Sequence, residues 1–301
     1  MNQLFSDSFT DRYRRDGLVG VRVPQLNPEI WHYAIRDAGD GAMLWFDESD
    51  ELVAFNIAHH SGVEGWMGPL AVRSDRQGLG VGRAIVQTAV DWLKEAGVRT
   101  LGLETMPRTV ENIGFYTRLG FVPQHLTMTM TCDAAGRSVR GRFTQVGRLA
   151  TPDRADVLRR CRDRLARSAE GYDFTRELEL SRELDIGDAV VVTQEGQVQG
   201  FALWHSAPLA QERSVDELRV LKLFADSPAT FEKLVVAAER CARRLKIPKV
   251  AIRCQTAFAD SYMKLVELGY RVRWTDLRMT LNRFPEVVLP PGEVLFSNWE
   301  I

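Results

Sequence analysis

Val72-Arg-Ser-Asp-Arg-Gln-Gly-Leu-Gly-Val-Gly-Arg83 sets three alternating glycines, Gly78, Gly80 and Gly82, at the mouth of a helix. Behind them Val81, Ile85, Ala89, Trp92, Leu93 and Ala96 recur at helical spacing, so the glycines sit on the positive end of a helix dipole. Backbone N–H groups there can point at an anion, and glycine lets a diphosphate approach with no Cβ in the way. A nucleotide P-loop closes with Gly-Lys-Ser/Thr, but here Gly82 is followed by Arg83 and Ala84. A dinucleotide loop runs from a strand directly into G-x-G-x-x-G; here the polar residues 73–77 intervene and the last glycine place holds Arg83. The spacing that is met is Gln-x-x-Gly-x-Gly, at Gln77, Gly80 and Gly82.

The rest of the composition bounds the partners. The chain has 301 residues, 45% of them hydrophobic and 26% charged, enough for two globular domains. Lys+Arg 39 against Asp+Glu 40 gives a formal charge of -1, so no global field attracts nucleic acid or an anionic membrane. Cys132, Cys161, Cys241 and Cys254 are far apart with no C-x-x-C pair, which points to reduced core thiols and to no metal site. No apolar run approaches the ~20 residues of a membrane span, and residues 1–7 lack a signal peptide's basic and apolar regions. The cytoplasm is the expected compartment.

An internal repeat divides the chain. Leu119-Gly120-Phe121 lies on Leu268-Gly269-Tyr270 at an offset of 149, and Leu101 and Leu103 then fall on Val250 and Ile252. Further back the offset drifts, and Phe55 to His59 matches Phe201 to His205. Each half is one copy of an α/β fold around a mixed sheet. The boundary is expected in the small, polar, unpatterned segment 132–141, giving domains 1–138 and 139–301. The first copy opens directly on a helix at Gln3 to Arg15, without the strand that opens the second at Phe143.

Taken in order, these segments resemble the GNAT N-acetyltransferase superfamily. Gly68-Pro-Leu-Ala-Val72 resembles its fourth strand, residues 76–83 its pyrophosphate loop and residues 98–105 its fifth strand. Asn112-Ile-Gly-Phe-Tyr116 running into Leu119-Gly120-Phe121 resembles its Asn-x-x-x-x-Tyr helix. The resemblance implies tandem GNAT-like domains and transfer of acetyl from acetyl-CoA to an amine by direct attack in a ternary complex. It further implies that the backbones of Leu70, Ala71 and Val72 hold the pantetheine arm. Gln77, Gly78, Leu79, Gly80, Val81, Gly82 and Arg83 would hold the pyrophosphate, Asn112 would bond the arm from the other side, and Tyr116 would protonate the departing sulfur. A phenol, with a pKa of ~10, stays protonated for that purpose. Glu64, just before the fourth strand, is assigned as the base acting through water, since the family is expected to use an acid on that strand, with Glu104 at the end of the fifth strand a second option. His59, which repeats as His205, is read as structural.

At the 149-residue offset the second copy replaces the glycine cradle with Asp226-Ser-Pro-Ala-Thr-Phe231, and Asn112 and Tyr116 with Ser261 and Leu265. Proline has no N–H to offer and phenylalanine fills the place a phosphate would need. This copy is expected to keep the fold and lose the chemistry, covering a sheet edge or walling the acceptor pocket. The acceptor is expected to be a small amine rather than a protein, and the chain a monomer or homodimer. The rival readings are a non-catalytic acyl-CoA-binding or regulatory module, and an acyltransferase using a longer acyl-CoA.

Overall fold

Local sequence sets the elements of the first half in turn. Helix α1 (Asn2–Arg15) is followed by α2 (Pro28–Ala38), where Asn27 accepts a hydrogen bond from the Glu29 N–H and Pro28 takes the first helical place. Strands β1 (Ala42–Phe46), β2 (Leu52–Ser61) and β3 (Glu64–Val72) form an antiparallel meander. Helix α3 (Val81–Glu95) lays Ile85, Val86, Ala89, Val90 and Leu93 on the sheet. Strand β4 (Thr100–Thr105), helix α4 (Val110–Arg118) and the long strand β5 (Phe121–Asp133) complete this half. The computed structural model describes residues 1–134, 136–137 and 143–299.

The second half repeats the order with an added strand at each end. It runs β6 (Phe143–Gln145), α5 (Thr151–Ala166), α6 (Thr175–Glu183), β7 (Gly187–Gln194), β8 (Gln197–His205) and β9 (Glu217–Ala225). Helix α7 (Pro228–Arg244), β10 (Lys249–Gln255), α8 (Ala259–Glu267), β11 (Arg271–Leu281) and β12 (Val294–Ser297) follow. The first half opens on α1, as the sequence implies, and among the described residues β1 is an edge strand. β5 extends through Cys132 and Asp133, so the expected linker begins as strand. The boundary between residues 138 and 139 lies outside the described residues. None of the described helices is long and apolar enough to cross a membrane.

The two halves share one twelve-stranded sheet, eleven strands in the order β1-β2-β3-β4-β11-β5-β10-β9-β8-β7-β6 and β12 beside β9 off this path. Each half has lent its long strand to the other: β11 fills the gap between β4 and β5, and β5 pairs with β10. Apolar periodicity says which residues are buried and not which strand lies alongside, so this exchange was not visible in the sequence. In the β5–β11 ladder Thr127 faces Asp276, flanked by Leu126 facing Leu277 and Met128 facing Thr275. Thr127 and Asp276 are repeat counterparts, so a pseudo-twofold axis passes between them. Glu104 and Arg253, 149 residues apart and also counterparts, form an ion pair beside it.

Both halves splay the same two strands. β3 and β4 run parallel from Glu64 and Thr100 as far as Met67 and Leu103, then part. β9 and β10 pair from Glu217 and Lys249 as far as Val220 and Ile252. In the second half the gap is closed by β12, whose Val294, Leu295, Phe296 and Ser297 pair with Ala225, Phe224, Leu223 and Lys222. In the first half no strand among the described residues occupies it.

Candidate active site

The open splay is the site. Leu70, Ala71 and Val72 are paired to β2 on one side, while their other edge faces a cleft of about 480 Å³. An extended ligand arm can add there as a strand would. The cleft is lined by Leu70, Ala71, Val72, Gln77, Gly78, Gly80, Gly82, Arg83, Asn112 and Tyr116, so the structure gathers ten of the residues assigned from sequence. Leu79 and Val81 do not line it: Leu79 is 69% exposed, and Val81 packs against Val53, Ala54 and Ile85.

The loop has its glycines for two different reasons. Gly78 (φ 79°) and Gly80 (φ 87°) adopt left-handed conformations, which favour glycine over residues with a Cβ. Gly82 does not; a Cβ there would sit 3.6 Å from Phe115 Cζ, an ordinary contact, so what its missing side chain preserves is room in the cleft. No side chain caps α3, leaving the helix's first N–H groups for a ligand. Gln77 braces the loop, donating to the Val72 carbonyl at 3.0 Å and accepting from Arg15 Nη1 at 3.1 Å. Arg15 and Arg83 both line the cleft and make no ion pair among the described residues, so a polyanion meets unspent positive charge.

In the second half the equivalent helix end is closed. Ser227 caps α7, accepting from the Thr230 N–H at 3.3 Å, and Asp226 accepts from the Ser227 and Thr230 hydroxyls at 3.0 and 2.8 Å. Phe231 is buried against Phe296 of β12 with ring centroids 5.7 Å apart.

Asn112 and Tyr116 stand one helical turn apart on α4. Asn112 Nδ2 lies 3.5 Å from Thr105 Oγ1, a weak tether that leaves it able to turn to a ligand. Tyr116 packs against Phe115 and Phe121, and its hydroxyl makes no hydrogen bond among the described residues. Burial pushes the phenol up to about 12, which keeps it protonated and able to donate.

Glu64 lies elsewhere. It is 2% exposed and lines neither the cleft nor the cavity behind it; its oxygens accept from Trp66 Nε1 at 2.9 Å and Ser297 Oγ at 2.6 Å. Burial raises its pKa, against the pull of Lys222. Glu104 does line the cleft, with its oxygens engaged by Arg278 at 2.8 Å, Arg253 and Thr127. Burial opposes its charge, but Arg253 and Arg278 outweigh that and hold it below the usual carboxylate range. His59 donates or accepts through Nδ1 to Asp37 at 2.7 Å and is buried with it.

Several lining residues were missed from sequence. From α1 come Ser8, Phe9, Arg12 and Tyr13, and from β11 come Trp274 and Asp276. Only the strand exchange brings the latter two here, and no local pattern announces it. A second cavity of about 190 Å³ adjoins the first, sharing Phe9, Met67, Gly68, Pro69, Glu104 and Asp276. Its far wall is His59, Trp66, Arg253, Arg278, Ser297, Asn298 and Trp299. Most of that wall belongs to the second half.

Comparison with known proteins bears on this geometry. Residues 3–121 match the model of the acetyltransferase (GNAT) family. A comparison with curated protein sequences gives no match. Among solved structures, N-myristoyltransferase of Saccharomyces cerevisiae with bound myristoyl-CoA is similar at TM-score 0.62 and 12% identity, over 93% of this chain and 78% of that one. A tandem GNAT protein from the clavulanic acid biosynthesis pathway is similar at TM-score 0.57 and 14% identity, over 94% and 96%. A GCN5-related N-acetyltransferase from Sphaerobacter thermophilus is similar at TM-score 0.54 and 13% identity, over 95% and 94%. At these identities the likeness is one of fold.

Proposed function

We propose, from the match of residues 3–121 to the GNAT family model and the likeness of the fold to a tandem GNAT protein, that the first half transfers acetyl from acetyl-CoA to a small amine in a ternary complex. The observation that carries this reading is the single cleft joining the open edge of Leu70–Val72, the uncapped α3 terminus and the Tyr116 hydroxyl. The pantetheine amides would pair along the β3 edge and the pyrophosphate would lie on the N–H groups of residues 78–83. Arg15 and Arg83 would add charge there. A backbone N–H of β3 facing the thioester oxygen would stabilise the charge that develops as nitrogen attacks. Tyr116 then protonates the thiolate.

The second half holds no acetyl-CoA in this reading. Its splay is occupied by β12 and its helix end by Ser227 and Asp226. It serves as the wall of the acceptor side.

Release of CoA from acetyl-CoA, measured across a panel of small amines, tests the reading. Tyr116→Phe is expected to bind acetyl-CoA with unchanged affinity and turn over about 100-fold more slowly or worse, the usual worth of a general acid. Equal rates in the two proteins would remove Tyr116 from the mechanism.

A further inference from the structure

We infer that Asp276, carried into the first half's site by the exchanged strand β11, is the group that takes the proton from the acceptor amine, and that the 190 Å³ cavity is the acceptor subsite. The inference rests on the acetyl-transfer reading above. Asp276 lines both cavities, which is the place a base must occupy to face a nucleophile on one side and a thioester on the other. Its partners are Trp274 Nε1 at 3.1 Å and Arg253 Nη2 at 3.0 Å, one on each carboxylate oxygen, so each oxygen keeps acceptor capacity. Glu104, its neighbour at the junction, is spent on two guanidiniums and a hydroxyl.

The cavity's lining selects the acceptor. The cluster at the junction holds Arg253 and Arg278 against Glu104, Asp276 and Glu286, with Arg278 donating to both Glu104 and Glu286. Among the cavity's lining residues Glu104 and Asp276 stand against Arg253 and Arg278, and Glu286 is taken up by Arg278. Phe9, Trp66, Met67 and Trp299 line the cavity, which suits a small primary amine with an apolar or aromatic body; the Trp66 and Trp299 rings already carry Arg278 and Lys222.

The protons balance. Asp276 takes one proton from the ammonium and frees the nitrogen lone pair, which forms the C–N bond. The C–S bond breaks with its electron pair on sulfur, and Tyr116 protonates that sulfur. The nitrogen's second proton returns the phenolate to phenol through solvent, and Asp276 releases its own proton to water.

The two junction carboxylates differ, Glu104 being held ionised, against the effect of burial, by Arg253 and Arg278. Burial raises Asp276 to about 6, with Glu104 reinforcing and Arg253 opposing. The groups facing it are Arg253 from β10, Glu104 from β4, Thr127 from β5, Tyr13 from α1, and Trp274 and Arg278 on its own strand.

The test uses the full chain, acetyl-CoA and 2-phenylethylamine as probe acceptor, with CoA release followed from pH 5 to 9 and acetyl-CoA affinity measured by calorimetry. For the parent, kcat/KM for the amine is expected to fall tenfold per pH unit below about 6. Asp276→Asn is expected to bind acetyl-CoA as the parent does, to lose about 100-fold or more in kcat, and to lose the acid limb; Asp276→Glu recovers part of both. A parent profile flat through pH 6, or an Asn variant that keeps the parent's rate and limb, overturns the inference while leaving acetyl transfer intact. A parent that binds acetyl-CoA and releases no CoA with this or any panel amine overturns the acetyl-transfer reading, and this inference with it.

Discussion

Single residues divide here by what their side chains exclude. Gly82 tolerates a methyl group as far as the protein is concerned, and alanine in the first turn of a helix is favoured over glycine by ~1 kcal/mol. Gly82→Ala should therefore leave the free protein as stable or slightly more so while weakening acetyl-CoA binding about tenfold. Gly82→Leu should abolish binding with the free fold retained; thermal melts paired with calorimetry check both, and tight binding by the Leu variant would mean the pyrophosphate lies elsewhere. Glu64 shows the opposite case. Carboxylates near a fourth-strand position invite a catalytic reading from sequence, yet this one holds Trp66 and Ser297 in place. Nearby Lys222, buried with Glu177, donates to Ser297 at 2.9 Å and lies over the Trp299 ring. The cluster behind the acceptor cavity is thus anchored by paired buried charge, which is costly to break.

Elements were legible in proportion to how local their causes are. The glycine loop before a helix and the helix carrying Asn112 and Tyr116 follow from residue spacing, and the structure has both. The neighbours of β11 do not follow, because strand pairing in a sheet of repeats is decided by long-range packing that leaves the same apolar pattern on either partner. Trp274 and Asp276 therefore read as part of the second half's sheet until the first half is found around them. β12 likewise owes its place to a long-range pairing, with β9. Removing residues 293–301 should uncover the β9 edge and expose Phe231, which β12 covers. The expected result is a melting temperature lower by several degrees and increased aggregation, with no second acetyl-CoA site, since Ser227 and Asp226 still close α7. Unchanged stability would show that β12 contributes little to the second half.

At the scale of the molecule, duplication has turned a self-contact into a complementary one. Residues on a true twofold meet their own copies, so Glu104 would face Glu104, and like charges in a buried pair are unfavourable. In one chain the two positions diverge, and Glu104 pairs with Arg253. The same divergence sets a glycine loop against a capped helix, so calorimetry should find one acetyl-CoA per chain; two equivalent sites would refute the silent second half. The strand in the second splay also has a thermal consequence. One splay is filled by the chain's own strand, and on the reading proposed above the other is filled by acetyl-CoA, so the melting temperature would rise with that ligand. At a hundredfold excess over its dissociation constant that ligand would add ~2.7 kcal/mol, shared by both halves because β5 and β11 cross between them in one sheet.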